Sequence, residues 1–226
     1  MAFSNPTDYV GLSDEAMVLI SSVENASTQE KEAKNDRGDI IARNIYGAVK
    51  NPSSEYRLAA ALSKAITLGS VTTVGTDKIV LKSVSIKTSE GKAPEISAGG
   101  ESIQDEGTVS STVALGTVAV SVRHKAQILF ASFTLAGTGC ALNSCEADCT
   151  CEISKATKEG DCLAHDVSGA KVIVKATVIQ TGATAPTITP ATGWDLTAPV
   201  SVTSPDGDYE TVSFSLTKSY SGTDPV

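Results

Sequence analysis

The sequence predicts a mainly β protein, an antiparallel β-sandwich or barrel with an extended N-terminal β-hairpin and one flanking α-helix. Three observations predict it. Charged residues make up only 19% of the chain and aromatics 4%, while Ser, Thr, Val, Ala and Gly fill much of the rest, a composition suited to many short strands. Runs rich in Val, Ile and Thr recur between clusters of Gly, Pro, Asp and Ser. The last of these alternates cleanly, Val212, Phe214 and Leu216 against Thr211, Ser213, Ser215 and Thr217, as a strand does with one face on a core and one in water. The 226 residues, 41% hydrophobic, suffice to bury a core without staples and exclude a disordered chain. They read as one domain spanning 1–226.

From the N-terminus, Ser13-Asp14-Glu15 before the apolar run Ala16 to Ile20 suits either a helix cap or a strand start. Residues 24–48 read as a long hairpin. Ser27 to Lys34 is almost wholly polar, Asp36-Arg37-Gly38 is a turn, and Asp39 to Tyr46 is β-rich. An arm polar on both faces cannot cover a core and must meet water or a hydrated partner. Pro52-Ser53-Ser54 then precedes Leu58, Ala61, Leu62, Ala65 and Ile66, the i, i+3, i+4, i+7, i+8 spacing of one helical stripe, so residues 55–66 are the predicted helix, with Gly69 as its C-cap.

Strands are expected over Ile79–Lys87, Val109–Val122, Ala126–Leu135, Lys171–Gln180, Pro199–Thr203 and Tyr209–Ser219, with a β-bulge at Gly116-Thr117 where the alternation slips. Gly99-Gly100 reads as a turn and 181–190 as a loop.

The net charge of −8 and sequence pI near 4.8 exclude a surface built as a whole to grip phosphates. No run approaches the roughly 20 apolar residues of a membrane helix, and no membrane partner is expected. Met1 to Pro6 lacks the basic and apolar regions of a signal peptide, so synthesis in the host cytoplasm is expected, with both termini docked on neighbouring subunits.

Chemistry could concentrate only at Cys140, Cys145, Cys149, Cys151 and Cys162, followed by His165. Four of these six could hold zinc, but structural sites usually pair their ligands two to four residues apart and this spacing is irregular. The plainer reading is a structural patch of free thiols or one or two disulfides, with Cys140 and Cys145 able to close a small loop and Cys149 and Cys151 leaving one face of a strand. His124 reads as a strand-end residue and Trp194 as a core-edge anchor. No carboxylate pair, Ser-His-Asp set or phosphate-binding glycine loop is visible. No enzyme, catalytic residue, cofactor or metal is expected.

The polar hairpin Ser27–Ile45, then Val80 to Lys87, Arg123 to Phe130, and Gly193-Trp194-Asp195-Leu196 before the closing strand together resemble the tail-tube proteins of bacteriophage virions. The resemblance spans most of the chain and rests on a pattern of strands. It implies a virion subunit that self-assembles into rings, hexameric by resemblance, stacked as a hollow tube that DNA traverses during ejection and contacting other virion proteins. Thr28, Glu30, Glu32, Lys34, Ile40, Ala42 and Asn44 become the assembly hairpin. Glu30, Glu32, Asp36 and Asp39 become candidates for an acidic lumen, since segment 24–39 carries two more acidic than basic residues. Residues 140–165 fall outside the usual pattern, as an outward-facing cysteine-rich insertion or loop. A capsid decoration or head-fibre protein, a disulfide-bonded surface binding module, and a metal enzyme, which would need an open coordination site, are the other classes left open.

Overall fold

Side chains alternate between buried and exposed along most of the strands, and that alternation sets the architecture. The computed structural model describes residues 7–103, 108–109, 111–122, 124–158, 161–182, 185–197, 201–203 and 209–221. Its strands in chain order are β1 (Met17–Lys34), β2 (Ile40–Leu58), β3 (Leu62–Leu68), β4 (Val71–Val74), β5 (Asp77–Ser89), β6 (Lys92–Ile103), β7 (Thr108–Val109) and β8 (Val113–Val120). They continue with β9 (Phe133–Ala136), β10 (Cys140–Lys158), β11 (Asp161–Gln180), β12 (Thr187–Pro190), β13 (Asp195–Leu196), β14 (Ser201–Thr203) and β15 (Glu210–Ser219).

The main sheet runs β1-β2-β6-β5-β10-β11-β15-β13, with β4 joined to β5, β14 to β15 and β7 to β11, while β3–β8 and β9–β12 are separate two-stranded ribbons. All pairings among the described residues are antiparallel except β7–β11. Among the described residues β1 and β13 are the margins of the main sheet, and no barrel closes. No described helix is long and apolar enough to cross a membrane.

One transverse row shows how the core forms. Tyr56, Ile96, Ile86, Ala147, Val174 and Leu216 are paired in register across β2, β6, β5, β10, β11 and β15, and each is no more than 2% exposed. They join Leu62, Ile66, Val118 and Val120 of the β3–β8 ribbon, Leu129, Phe133 and Trp194 in one apolar cluster. Each large aliphatic or aromatic side chain so buried contributes roughly 1.5–3 kcal/mol. Phe133 meets Phe214 edge to face at 5.0 Å.

Several sequence expectations are corrected here. The helix over 55–66 is absent: β2 runs to Leu58, the chain turns, and β3 begins at Leu62. The same residues also satisfy period two, with Tyr56, Leu58, Leu62, Ile66 and Leu68 buried, and pairing to β1, β6 and β8 decides between the periods. At the turn, the Ala59 and Ala60 N–H groups both donate to the Ala16 carbonyl. The segment expected as an outward cysteine-rich insertion or loop is strand among its described residues: Ser144 to Thr150 of β10 lie between β5 and β11, and the remainder pairs within the β10–β11 hairpin. Gly99-Gly100 lies inside β6, where a Cβ at Gly100 would strike the Ile79 side chain. The run Ala126–Leu135 contains a 3₁₀ turn at Leu129–Ala131 rather than one strand.

Other expectations hold. The alternation of the closing strand is observed in β15, and Trp194 is buried at the edge of the core. The β8 bulge lies one position earlier, with Ile66 opposite Gly116 and Thr67 opposite Ala114, and Gly116 takes φ +105°, a conformation that costs glycine little. The docking expected of the termini concerns residues 1–6 and 222–226, which lie outside the described residues.

Candidate assembly surface

Antiparallel order places the β1–β2 turn and the distal end of the β10–β11 hairpin at the same end of the main sheet. The first of these runs free. β2 pairs β6 from Ser53 to Arg57, and the last tie among the described residues is at Lys50, whose N–H donates to Ser102 Oγ at 2.9 Å and whose ammonium meets Asp77 at 2.6 Å and Glu24 at 3.0 Å. Hydrogen bonds and charge from these two carboxylates hold Lys50 above its ordinary pKa. Beyond this root the hairpin continues seven residues along β1, from Thr28 to Lys34, a projection of about 23 Å at strand rise.

Residues 32–34 and 36–42 of this arm are all exposed. Consecutive strand residues point to opposite faces, so neither face of these described residues packs on the body. Glu32, Lys34, Ile40 and Ala42 lie here, and Glu32 meets Lys34 at 3.8 Å. Asp36 and Asp39 lie in the turn, where Asn35 Oδ1 accepts from the N–H groups of Arg37 and Asp39, both at 2.9 Å, and Gly38 takes φ +85°. Glu30 and Asn44 are paired with Ile45 and Lys31, and Thr28 sits at the register shift between Ser27 and Gln29. The side chains of Thr28, Glu30 and Asn44 lie outside the described residues.

The free margin of β1 adds a second feature. Met17 to Val23 contains no charged residue, and Val18, Ile20 and Val23 are each about half exposed. An uncharged apolar margin with no Lys or Pro is an invitation to further strand pairing. The opposite margin exposes Leu196 and Val202 beside Tyr209.

The outward face of the main sheet is polar and carries a ladder of alternating charge. Arg57, Glu95, Lys87, Glu146 and Lys175 stand in register across β2, β6, β5, β10 and β11. Arg57 lies 3.9 Å from Glu95 and Lys87 4.0 Å from Glu146, separations too long for hydrogen bonds. Lys175 turns instead to Asp148 at 3.0 Å, and Ser85 Oγ donates to the other oxygen of that carboxylate at 2.7 Å. A cleft of about 210 Å³ opens on this face beneath Ile20, lined also by Glu55, Tyr56, Arg57, Lys87 and Ser97.

Asp8 anchors the N-terminal segment and was not singled out by sequence. Its Oδ1 accepts from the N–H groups of Val10 and Gly11, from Ser54 Oγ and, at 2.6 Å, from Tyr56 Oη, while Oδ2 accepts from the Ser13 N–H. Burial opposes its ionisation, yet the hydrogen bonds from Tyr56, Ser13 and Gly11 together hold the carboxyl below its ordinary value. Burial first, and the Asp8 hydrogen bond second, push Tyr56 up. The clamp lets Val10 and Leu12 insert into the core. Gly at +3 and Ser at +5 from an Asp were its faint local signal.

The thiols of Cys140, Cys145, Cys149 and Cys151 are free. Cys140 and Cys145 stand five positions apart along β10, roughly 16 Å at strand rise and beyond the about 7 Å that a disulfide spans. The small loop expected between them therefore does not form. Cys145, Cys149 and Cys151 are buried together on the inner side, and Cys151 Sγ donates to the Lys82 carbonyl at 3.4 Å. Burial pushes the three thiols to about 11, 12 and 11 respectively. Cys162 is paired with Thr157, and its side chain lies outside the described residues. His165 is buried and His124 exposed. Among the described residues no group of three or more His, Cys, Asp or Glu gathers as a metal site.

These features define a mainly β chain that presents a bare hairpin arm, an apolar sheet margin and a polar, charge-laddered face. No protein-family model and no curated protein matches the sequence.

Proposed function

We propose that the chain is a bacteriophage virion subunit of the tail-tube kind, which self-assembles into stacked rings, hexameric by resemblance, around a passage for DNA. The observation that carries this reading is the β1–β2 arm, whose described distal residues are exposed on both faces although it is built as a regular two-stranded ribbon. A ribbon with no hydrophobic support is marginal alone in water, and its ordering is accounted for when a neighbouring subunit covers it. The apolar margin of β1 points the same way. The acidic side chains at the arm tip, Asp36 and Asp39, suit a lumen that repels phosphate rather than gripping it.

Electron microscopy of the purified chain at high concentration tests the reading, with rings or tubes as the expected result. Trimers, or monomers at every concentration, overturn it and favour a capsid decoration or a binding module.

A further inference from the structure

We infer that the cleft beneath Ile20 on the outward sheet face receives the β1–β2 arm of a second copy of this chain, with Ile41 as the inserted side chain. The inference rests on the self-assembly reading above and deepens it by naming the two surfaces that meet.

The cleft has a local cause. Ile20 falls at the register shift between Leu19 and Ser21, and this irregularity leaves it half exposed as an apolar lip over a floor of the small residues Ser85 and Ser97. A cavity of about 150 Å³ accommodates benzene, so about 210 Å³ admits one branched aliphatic side chain. The arm offers such a side chain: Ile41 is 65% exposed, the most exposed aliphatic side chain among the described residues, with Ile40 beside it at 46%.

Charge complements the fit. The cleft lies on the ladder Arg57, Glu95, Lys87 and Glu146, whose neighbours pair as ions at 3.9 and 4.0 Å without hydrogen bonds, which leaves their donors and acceptors open to a partner. The described, exposed end of the arm carries Lys34 and Arg37 beside Asp36 and Asp39, so it can answer both signs.

The contact has to be between copies. Ile41 and Arg57 lie 16 positions apart on the single strand β2, which places the side chain about 50 Å from its own cleft. Each copy therefore donates one arm and offers one cleft, a head-to-tail contact that closes into a ring or propagates as a stack.

Ile41→Asp disables the arm and Ser97→Trp fills the cleft, both at exposed positions of the full chain. Sedimentation velocity is expected to show each variant as a monomer with a wild-type thermal transition. An equimolar mixture retains one good arm and one good cleft per pair, and should yield 1:1 dimers that grow no further. Lys87→Glu, which sets a third carboxylate between Glu95 and Glu146 at the cleft, should weaken wild-type assembly at least tenfold. The inference is overturned if Ile41→Asp assembles normally, if both cleft variants do, or if the mixture stays monomeric. Normal assembly of these variants together with a monomeric arm deletion refutes the cleft alone and leaves self-assembly standing. A wild-type chain that never associates refutes both.

Discussion

The two long hairpins, β1–β2 and β10–β11, have strands of 18 and 19 and of 19 and 20 residues, yet they occupy opposite environments. β10 has β5 on one side and β11 on the other from Ser144 to Thr150, and Cys145, Ala147 and Cys149 are fully buried beneath it. β1 has β2 on one side and no described strand on the other, and the described residues 32–34 at its distal end are exposed on both faces. Backbone geometry is the same in both. What differs is whether every second residue is small and apolar, since only then can a strand lie over a core with neighbours on each side.

Introducing a charge into each hairpin breaks this comparison most sharply. Val174→Asp, opposite Ala147 in the central hairpin, buries an unpaired carboxylate and should cost more than about 4 kcal/mol in urea unfolding. Ile40→Asp on the arm should change stability by less than about 0.5 kcal/mol. An arm variant as unstable as the core variant would mean that the two hairpins are not different in kind.

Removing Thr28 to Asn44 should abolish oligomers in light scattering while the remaining chain keeps its far-UV spectrum and cooperative melt. Persistent oligomers would assign assembly to some other surface.

Asp8→Asn probes a tie outside both hairpins and should cost about 1–2 kcal/mol, because a charged acceptor of several hydrogen bonds becomes neutral. The folded carboxyl lies below its ordinary value of 3.8. Its contribution is therefore complete above that value and is lost as pH falls through the lowered folded one. Denaturation across the acid range should show a shallower loss of stability below about pH 4 in the variant. Identical acid limbs would remove Asp8 from the account.

The smallest effect concerns the thiols. With values near 11 to 12, Cys145, Cys149 and Cys151 carry at most about one thiolate in a thousand at pH 8. Alkylation followed by mass spectrometry should leave these three unmodified in the native protein while the half-exposed Cys140 reacts. Reductant should not shift the melt, since no bridge joins the four free thiols; a lowered melt would signal a disulfide.

Sequence alone determined the β class, the N-terminal hairpin with its turn at Asp36-Arg37-Gly38, the polar character of that arm and the alternation of the closing strand. Each is a local pattern of period two or a turn signal within a few residues, so no distant part of the chain is needed to read it. Tertiary structure alone decided the rest. Residues 55–66 satisfy a helical stripe and an alternating strand equally well, and only pairing with β1, β6 and β8 chose the strand. Ser144 to Thr150 of the cysteine segment became a central strand because β5 and β11 flank it, and Cys145, Cys149 and Cys151 are turned inward. The charge ladder brings Lys87 beside Glu146, 59 positions away, and the Asp8 clamp reaches Tyr56 across 48. Register between distant strands depends on which faces must be buried together, and no local window of the sequence contains that information.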